Sequence, residues 1–373
     1  MIIIKEIATK KGLKEFVKFP FTLYKNSKYW VPPLINDEVN SFDKTKNPIF
    51  EHADARFFLA YKNNTIVGRV AAIINWTEVN EQKIKKMRFG WFDYIDDSAV
   101  SEALLKKVTE IGKQNNLEFL EGPVGFSNMD KVGVLTEGYD QLSTMITWYN
   151  HPYYVNHLEN LGFTKEKGYI ESYFYIKDID ITNYTRFAKI VKHRNKLKAL
   201  NFTSTKQILP YVDEMFALFN ITYARLSSFV PISKKQITFF KEKYIKLIDP
   251  QFIKFVVDEN GKLVSFAITM PSFAEALQKA KGKLFPIGFL YLLQAKRKNT
   301  DIVFFLIGIL PEYQRKGVTA IIFDEFFKVC IKNGIKRAIR TPELEENNDI
   351  HLLWKNFKPV INKKRSTYKK NID

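Results

Sequence analysis

The sequence predicts a mixed α/β protein in which two halves repeat one plan of helices packed on a sheet. Short apolar runs alternate with helical stretches in each half, which is typical of a sheet covered by helices. An aromatic-Val-Pro loop occurs in both halves, and Val31 and Val230 within it are 199 residues apart. A β-hairpin follows each loop, and its returning strand starts at Ile66 in the first half and at Leu263 in the second, 197 residues apart. The near-equal offsets indicate a duplication.

The first elements of each half can be predicted in chain order. A helical stretch precedes the loop, and two β runs with Asn or Gly in their turn follow it. The helix and the hairpin are predicted at residues 11–24 and 55–74 in the first half, and at residues 208–226 and 252–270 in the second.

A strand, a helix, a second strand and a second helix then follow in both halves. They are predicted at residues 87–94, 98–115, 118–122 and 152–161, and again at residues 302–310, 318–333, 337–341 and 349–357. We expect Asn150 to cap the helix that starts at Pro152, and Gly334 to end the long helix of the second half. The polar segment 178–185 predicts a boundary between domains covering residues 1–180 and 181–373.

Composition restricts the class of protein. Of the 373 residues, 46% are hydrophobic and 26% are charged, which excludes a disordered chain. The single cysteine, Cys330, excludes a disulfide scaffold, and the histidines show no metal-ligand spacing. The longest apolar runs are about half of the ~20 residues that a membrane span needs, and no signal-peptide pattern follows Met1. We therefore expect a soluble cytoplasmic protein without a metal.

The positive charge is concentrated in the second half. Residues 1–180 contain 23 basic and 24 acidic side chains, whereas residues 181–373 contain 35 and 16. Such asymmetry points to a polyanionic partner, which could be nucleic acid, an anionic membrane or a phosphate-bearing cofactor. A lysine-rich surface that is only solvated is the alternative.

The segment from Ile307 to Thr319 is the most informative part of the sequence. A predicted strand ends at Pro311, a polar turn follows, and a helix begins near Gly317. The first backbone N–H groups of a helix have no partner within it, so with Arg315 and Lys316 they would form a cradle for a diphosphate. Gly317 would let the ligand approach closely.

This segment resembles the acyl-CoA-binding motif of the GNAT superfamily of N-acyltransferases, Gln/Arg-x-x-Gly-x-Gly/Ala. The resemblance implies that acetyl-CoA or another acyl-CoA is bound, with its pantetheine arm along the backbone of Ile307 and Ile309. Thr319 departs from the small residue that is usual there. The residues implied to hold the diphosphate are Gln314, Arg315, Lys316, Gly317, Val318 and Thr319.

Two residues further along the chain extend the resemblance. Asn347 matches a cofactor-binding position of the family, but Trp354 stands seven residues later, where a tyrosine that protonates the departing thiolate is usual. In the implied reaction an amine attacks the thioester, and deprotonating an amine with a pKa of about 10.4 costs roughly 4–5 kcal/mol at neutral pH. Glu343 is the candidate base; a solvated loop carboxylate beside Glu345 and Glu346 is the alternative interpretation.

The first half resembles the same fold without its cofactor loop. Asp96 and Asp97 stand where the cradle should be, and two carboxylates would repel a diphosphate. We therefore expect one cofactor site, in the second half. The whole chain is also similar to a group of bacterial tandem-GNAT proteins, which implies two GNAT-like domains.

These observations predict an acyl-CoA-dependent N-acyltransferase whose acceptor is a small-molecule or peptide amine. One alternative is a transferase that uses aminoacyl-tRNA, and another is a non-catalytic protein that binds nucleic acid or anionic lipid. The basic clusters at residues 189–198 and 363–370 would serve RNA or membrane phosphates in these alternatives. The apolar insert 284–293, between basic ends, is predicted to be a buried packing segment rather than a lid or a membrane contact.

Overall fold

The computed structural model describes residues 1–226, 229–244 and 248–372. In these ranges thirteen strands form one sheet. The strands are, in chain order, β1 (Ile2–Ile7), β2 (Ala53–Lys62), β3 (Thr65–Asn75), β4 (Lys86–Tyr94), β5 (Phe119–Gly122), β6 (Val134–Glu137), β7 (Thr164–Tyr175), β8 (Lys198–Leu200), β9 (Ile253–Val257), β10 (Leu263–Pro271), β11 (Asp301–Ile309), β12 (Arg337–Leu344) and β13 (Val360–Asn371).

Helices cover both faces of this sheet, and the mixed α/β fold class is confirmed. The helices are α1 (Lys10–Leu23), α2 (Ile35–Ser41), α3 (Ser98–Gln114), α4 (Tyr153–Asn160), α5 (Ile181–Arg194), α6 (Thr205–Ile208), α7 (Val212–Tyr223), α8 (Lys234–Tyr244), α9 (Ala274–Ala280), α10 (Gly288–Arg297), α11 (Val318–Lys332) and α12 (Asn348–Trp354). The strands and helices predicted in the two halves are present within a few residues of the expected ends.

The two halves exchange their last strands. The strand order is β1-β2-β3-β4-β5-β13-β7-β12-β11-β10-β9-β8, with β6 paired to β13 outside this path. β13, at the end of the second half, therefore pairs with β5 of the first, and β7, at the end of the first half, pairs with β12 of the second. The predicted boundary at residue 180 stays a prediction, and Asp180 caps α5 there.

A buried cluster of charges joins the two exchanged strands. Glu171 of β7 forms ion pairs with Lys363 (3.0 Å) and Arg365 (2.7 Å) of β13. The three side chains are 0%, 2% and 0% exposed. Charges at this depth are tolerated only when they are paired, so the cluster favours the observed pairing of β7 with β13 over alternatives that separate them.

Two local predictions about helix ends have different outcomes. Gly334 follows α11 with a φ of +67°, as expected for the residue that ends a helix. Asn150 does not cap α4, because its amide group bonds to the backbone N–H (2.6 Å) and C=O (3.2 Å) of Leu135. The side chain of Asn150 thus satisfies backbone hydrogen-bonding groups of β6 instead of those at the start of the helix.

Candidate functional site

β11 and β12 separate from each other halfway along their length. They pair in parallel from Asp301↔Arg337 to Phe304↔Arg340, and no further pair follows among the described residues. Beyond this point β11 continues on β10 and β12 continues on β7. We call the opening between residues 305–309 of β11 and residues 341–344 of β12 the wedge. A slender ligand that enters the wedge could pair with the part of β11 that β12 leaves unpaired.

The β11 edge of the wedge carries the backbone groups of Ile307 and Ile309. Leu310 donates its N–H to β10, to the C=O of Val264, and backbone groups of alternate residues point to opposite sides of a strand, so 307 and 309 face the wedge. Both residues thus lie at the strand edge at which the resemblance implies that a pantetheine arm binds. Their pairing with a pantetheine arm stays a prediction.

The loop 314–319 leads from this edge into α11. Arg315 and Gly317 have φ values of +61° and +78°. The backbone N–H groups of Arg315, Gly317, Val318 and Thr319 have no hydrogen-bond partner in the described part of the chain. The side chains of Gln314, Arg315 and Lys316 are exposed. Free amides beside a helix N-terminus and two cations are suited to an anion such as a diphosphate.

The structure gives Gly317 a role in addition to the expected one, which stays a prediction. Its φ of +78° favours glycine, and a Cβ atom here would lie 2.9 Å from Cγ2 of Val191 and 3.1 Å from Cε1 of Phe187, both on α5. The expectation that Gly317 serves the approach of a ligand is therefore incomplete, because the backbone conformation and the packing of α5 already require it.

Glu343 lies at the β12 edge of the wedge and is not a solvated loop residue. Its side chain is only 14% exposed and is paired with Arg340. The indole N–H of Trp354 donates a 2.9 Å hydrogen bond to Oε1 of Glu343. Burial raises the pKa of Glu343 above its usual value, while Arg340 and Trp354 oppose that rise. Glu345 and Glu346, by contrast, are exposed.

Trp354 and Asn347 both have local partners. Trp354 is 1% exposed, and the guanidinium group of Arg340 lies 4.9 Å from its ring centroid. Trp354 therefore positions Glu343 as well as packing in the core. Asn347 caps α12 by accepting a 3.3 Å hydrogen bond from the N–H of Ile350. The side-chain oxygen of Asn347 is used in this cap. Its side-chain NH2 group is therefore the part that could reach a cofactor.

Tyr223, at the end of α7, is the residue of the wedge that sequence reasoning missed. Its hydroxyl group donates to the C=O of Ile307 (3.1 Å) and accepts from the N–H of the same residue (3.4 Å). Burial raises the pKa of Tyr223 to about 12, and the nearby charge of Glu343 adds to the rise. A signal was present in the sequence, since Tyr24 and Tyr223 are separated by the same 199 residues as Val31 and Val230.

Sequence comparisons find relatives of this chain but no family model. No protein-family model matches the chain. Protein YghO of Escherichia coli (strain K12) is 25% identical over 323 residues, which cover 86% of this chain and 82% of YghO. The bacterial ceramide synthase of Caulobacter vibrioides is 24% identical over 295 residues, covering 77% and 74% of the two chains.

Solved structures decide the fold. The tandem GNAT protein from the clavulanic acid biosynthesis pathway matches with a TM-score of 0.61 at 8% identity, over 100% of this chain and 99% of that chain. This chain has a tandem GNAT fold. A GCN5-related N-acetyltransferase from Sphaerobacter thermophilus matches with a TM-score of 0.53, also at 8% identity, over 100% and 96% of the two chains. The resemblance that the motif at 314–319 suggested is confirmed at the level of the fold.

In the first half, tyrosine hydroxyl groups bond to the end of β4, as the Tyr223 hydroxyl does to β11 in the second. The hydroxyl groups of Tyr153 and Tyr154 bond to the C=O and the N–H (3.1 Å) of Tyr94, at the end of β4. Asp97 caps α3 with a 3.1 Å bond from the N–H of Ala99, and its carboxylate also binds Lys62. The helix start of the first half is thus occupied by Asp97. That this half has lost its cofactor loop stays a prediction.

The basic cluster predicted at residues 189–198 is partly paired within the GNAT fold. Lys192 binds Glu325 and Lys196 binds Glu259, each at 2.8 Å. These carboxylates lower the positive charge that the cluster offers to a polyanion.

The basic cluster predicted at residues 363–370 lies largely inside the protein at its start. Lys363 and Arg365 are buried against Glu171, and Lys364 binds Glu137 at 2.9 Å. The interpretation of residues 363–365 as a surface for RNA or membrane phosphates is wrong, because two of the three side chains are buried.

Proposed function

We propose that the chain is an N-acyltransferase that takes an acyl group from acetyl-CoA or another acyl-CoA and transfers it to an amine. The observation that carries the proposal is the combination of two separating strands, β11 and β12, with the free amides of the loop 314–319 in the second half. A solved protein with this fold is named an N-acetyltransferase, which supports acyl transfer. One relative is named a ceramide synthase, and a ceramide contains an amide bond, which supports an amine as the acceptor.

Each part of the site has a task in this proposal. Acyl-CoA supplies the thioester that the amine attacks. The backbone of Ile307 and Ile309 aligns the pantetheine arm along β11. The amides of residues 315–319 and the side chains of Arg315 and Lys316 hold the diphosphate.

Glu343 and Tyr223 move the protons. Glu343, held by Trp354 and Arg340, accepts a proton from the amine, directly or through water. Because burial raises its pKa, it is a stronger base than an exposed glutamate. The Tyr223 hydroxyl is protonated at neutral pH, since its pKa is about 12. When the pantetheine arm replaces it at Ile307, this hydroxyl donates its proton to the departing sulfur.

The aminoacyl-tRNA alternative has less support than the acyl-CoA proposal. It rested on the basic second half, where Lys192, Lys196 and Arg365 are paired with carboxylates of the chain. The free amides of loop 314–319 would also have no purpose in it.

An assay of thiol release tests the proposal. Acetyl-CoA and long-chain acyl-CoA are each incubated with the protein and a panel of amines that includes a long-chain amino alcohol, a polyamine and a lysine peptide. Amine-dependent release of free CoA with formation of the matching amide is expected for at least one pair. CoA release that does not depend on any amine, or aminoacyl transfer from charged tRNA instead, would contradict it.

A further inference from the structure

The second half contains an insertion that the duplicated fold does not need. In the first half, residues 76–85 connect the strand β3 to β4. The corresponding connection of the second half, from β10 to β11, takes residues 272–300 and contains α9 and α10. Because both connections join equivalent strands, the additional residues serve something other than closing the sheet.

Apolar side chains of the insertion point into solvent. Within the described residues the exposed fractions are 76% for Phe285, 54% for Ile287, 51% for Leu290, 46% for Leu293 and 36% for Phe289. The expectation of a buried packing segment is therefore wrong for these five residues. Isolated exposed apolar residues are common, but five within nine positions form a patch that indicates a partner.

The other side of α10 is anchored to the protein. Leu292 packs against Val31 of the first half and Leu277 of α9. The side chain of Gln278 on α9 donates to the C=O groups of Lys28 and Trp30, each at 2.9 Å. The insertion is thus held in place by both halves while its apolar residues stay outside.

Positive charges lie at both ends of the patch and outnumber the acids beside it. Between Glu275 and Asp301 the sequence has no acidic residue. None of the cations at the two ends of the patch forms an ion pair with a described residue. These cations are Lys281, Lys283, Lys296, Arg297 and Lys298. The groove beside α10 contains one acid, Asp249, which bonds to Gln251 and forms no ion pair with Lys296 or Arg297 of the described residues.

We propose that this patch, together with its five cations, docks the protein on an anionic lipid bilayer. Apolar side chains would enter the interface between headgroups and acyl chains, while the lysines and the arginine meet lipid phosphates. The proposed contact lies on the membrane surface. Among the described residues no helix has the length and hydropathy of a membrane span. We call these ten residues the α10 surface.

Charge and side-chain type favour a bilayer over two other partners. RNA offers phosphates to the cations, but it gives the aliphatic Ile287, Leu290 and Leu293 no apolar partner. A symmetric contact between two copies of the chain would bring identical cations together around the patch, which is unfavourable. An anionic bilayer satisfies both the apolar and the basic residues. The inference does not depend on the proposed acyl transfer.

Co-sedimentation with vesicles tests this inference. The full chain is mixed with vesicles of phosphatidylcholine and phosphatidylglycerol in equal parts, or of phosphatidylcholine alone. We expect sedimentation with the anionic vesicles, reduced by added salt because the contact is partly electrostatic. Phe285→Ser combined with Leu290→Ser should weaken binding by about tenfold or more. Ile3→Ser is the matched control, since Ile3 is 49% exposed on the edge strand β1, and it should leave binding unchanged.

Several outcomes would overturn the inference. The unaltered chain would fail to bind anionic vesicles, or it would bind both vesicle types equally. Alternatively, the double serine variant would bind fully while its unfolding midpoint stays unchanged. Binding of single-stranded RNA without binding of vesicles would assign the surface to nucleic acid. Light scattering that shows a dimer for the unaltered chain and a monomer for the serine variant would assign it to self-association. Lys296→Glu with Lys298→Glu provides a second test, because it should abolish vesicle binding without altering the apolar residues.

Discussion

The indole N–H of Trp354 donates a 2.9 Å hydrogen bond to Oε1 of Glu343, at the β12 edge of the wedge. Trp354 stands where the resemblance to GNAT proteins implies a tyrosine, and its ring also lies against the guanidinium group of Arg340. The indole therefore holds the candidate base in one orientation. The phenol of the wedge comes instead from Tyr223, on a different helix.

Glu343→Gln should remove the proton acceptor while keeping an oxygen for the bond from Trp354. We expect the kcat of acyl transfer to fall by about 100-fold or more at neutral pH, with partial recovery at higher pH as the amine deprotonates by itself. The affinity for CoA should be unchanged. Steady-state kinetics over a range of pH checks this, and an unchanged kcat would remove Glu343 from the mechanism.

Trp354→Phe should shift the pH dependence of the reaction. A hydrogen bond to a carboxylate lowers its pKa, so losing the bond raises the pKa of Glu343 further. Because the base must be ionised, the acidic limb of the kcat/KM profile should move to higher pH. The fold should also lose about 1–3 kcal/mol of stability, since Trp354 is buried. A profile that does not move, in a variant that remains folded, would assign Trp354 to packing alone.

Tyr223→Phe should separate binding from catalysis. Without the hydroxyl group, Ile307 offers its backbone to a ligand with no competitor, so the Kd for CoA should stay equal or decrease. The kcat should fall by about 100-fold if the phenol protonates the leaving sulfur. Phe219, which stacks on the ring of Tyr223 at 4.2 Å, keeps the replacement in place. Equal losses in binding and kcat would contradict the assigned role.

Gly317→Ala should destabilise the protein more than Gly334→Ala. Both glycines have positive φ values, +78° and +67°, so both substitutions strain the backbone by about 1 kcal/mol. A Cβ at 317 also meets Val191 at 2.9 Å, whereas nothing lies within 4 Å of a Cβ at 334. Thermal denaturation of the two variants measures the difference. Equal losses would show that α5 yields to the added methyl group.

The regular elements were predictable because each carries its signal in its own residues. The hairpins and the helix after β11 follow from local apolar patterns and turn residues. β13 was missed because Lys363, Lys364 and Arg365 interrupt its apolar pattern, and the carboxylates that neutralise them, Glu171 and Glu137, are distant in the sequence. The exposure of the α10 surface was missed for the complementary reason. An apolar run indicates that burial would be favourable. Whether another part of the chain covers it depends on the fold.

The candidate site also has a part that could be predicted from the sequence and a part that could not. The loop 314–319 could be recognised from consecutive residues, and the structure places it at the start of α11. Tyr223 and the Trp354–Glu343 bond depend on three separate elements meeting at the wedge. No local pattern predicts such a meeting.

Binding of CoA is the most direct test of the central claim, that the second half holds acyl-CoA in loop 314–319. The thermal unfolding midpoint is measured with CoA, with acetyl-CoA and with ATP as a polyanion control. Ligand at about 100-fold above its Kd should add roughly 2.7 kcal/mol to the stability. Arg315→Glu with Lys316→Glu should abolish the increase, while the same charge changes at the exposed Lys18 and Lys25 of the first half should not. An increase with CoA that only the loop variant loses is the predicted result; no increase, or an equal one with ATP, would contradict the account.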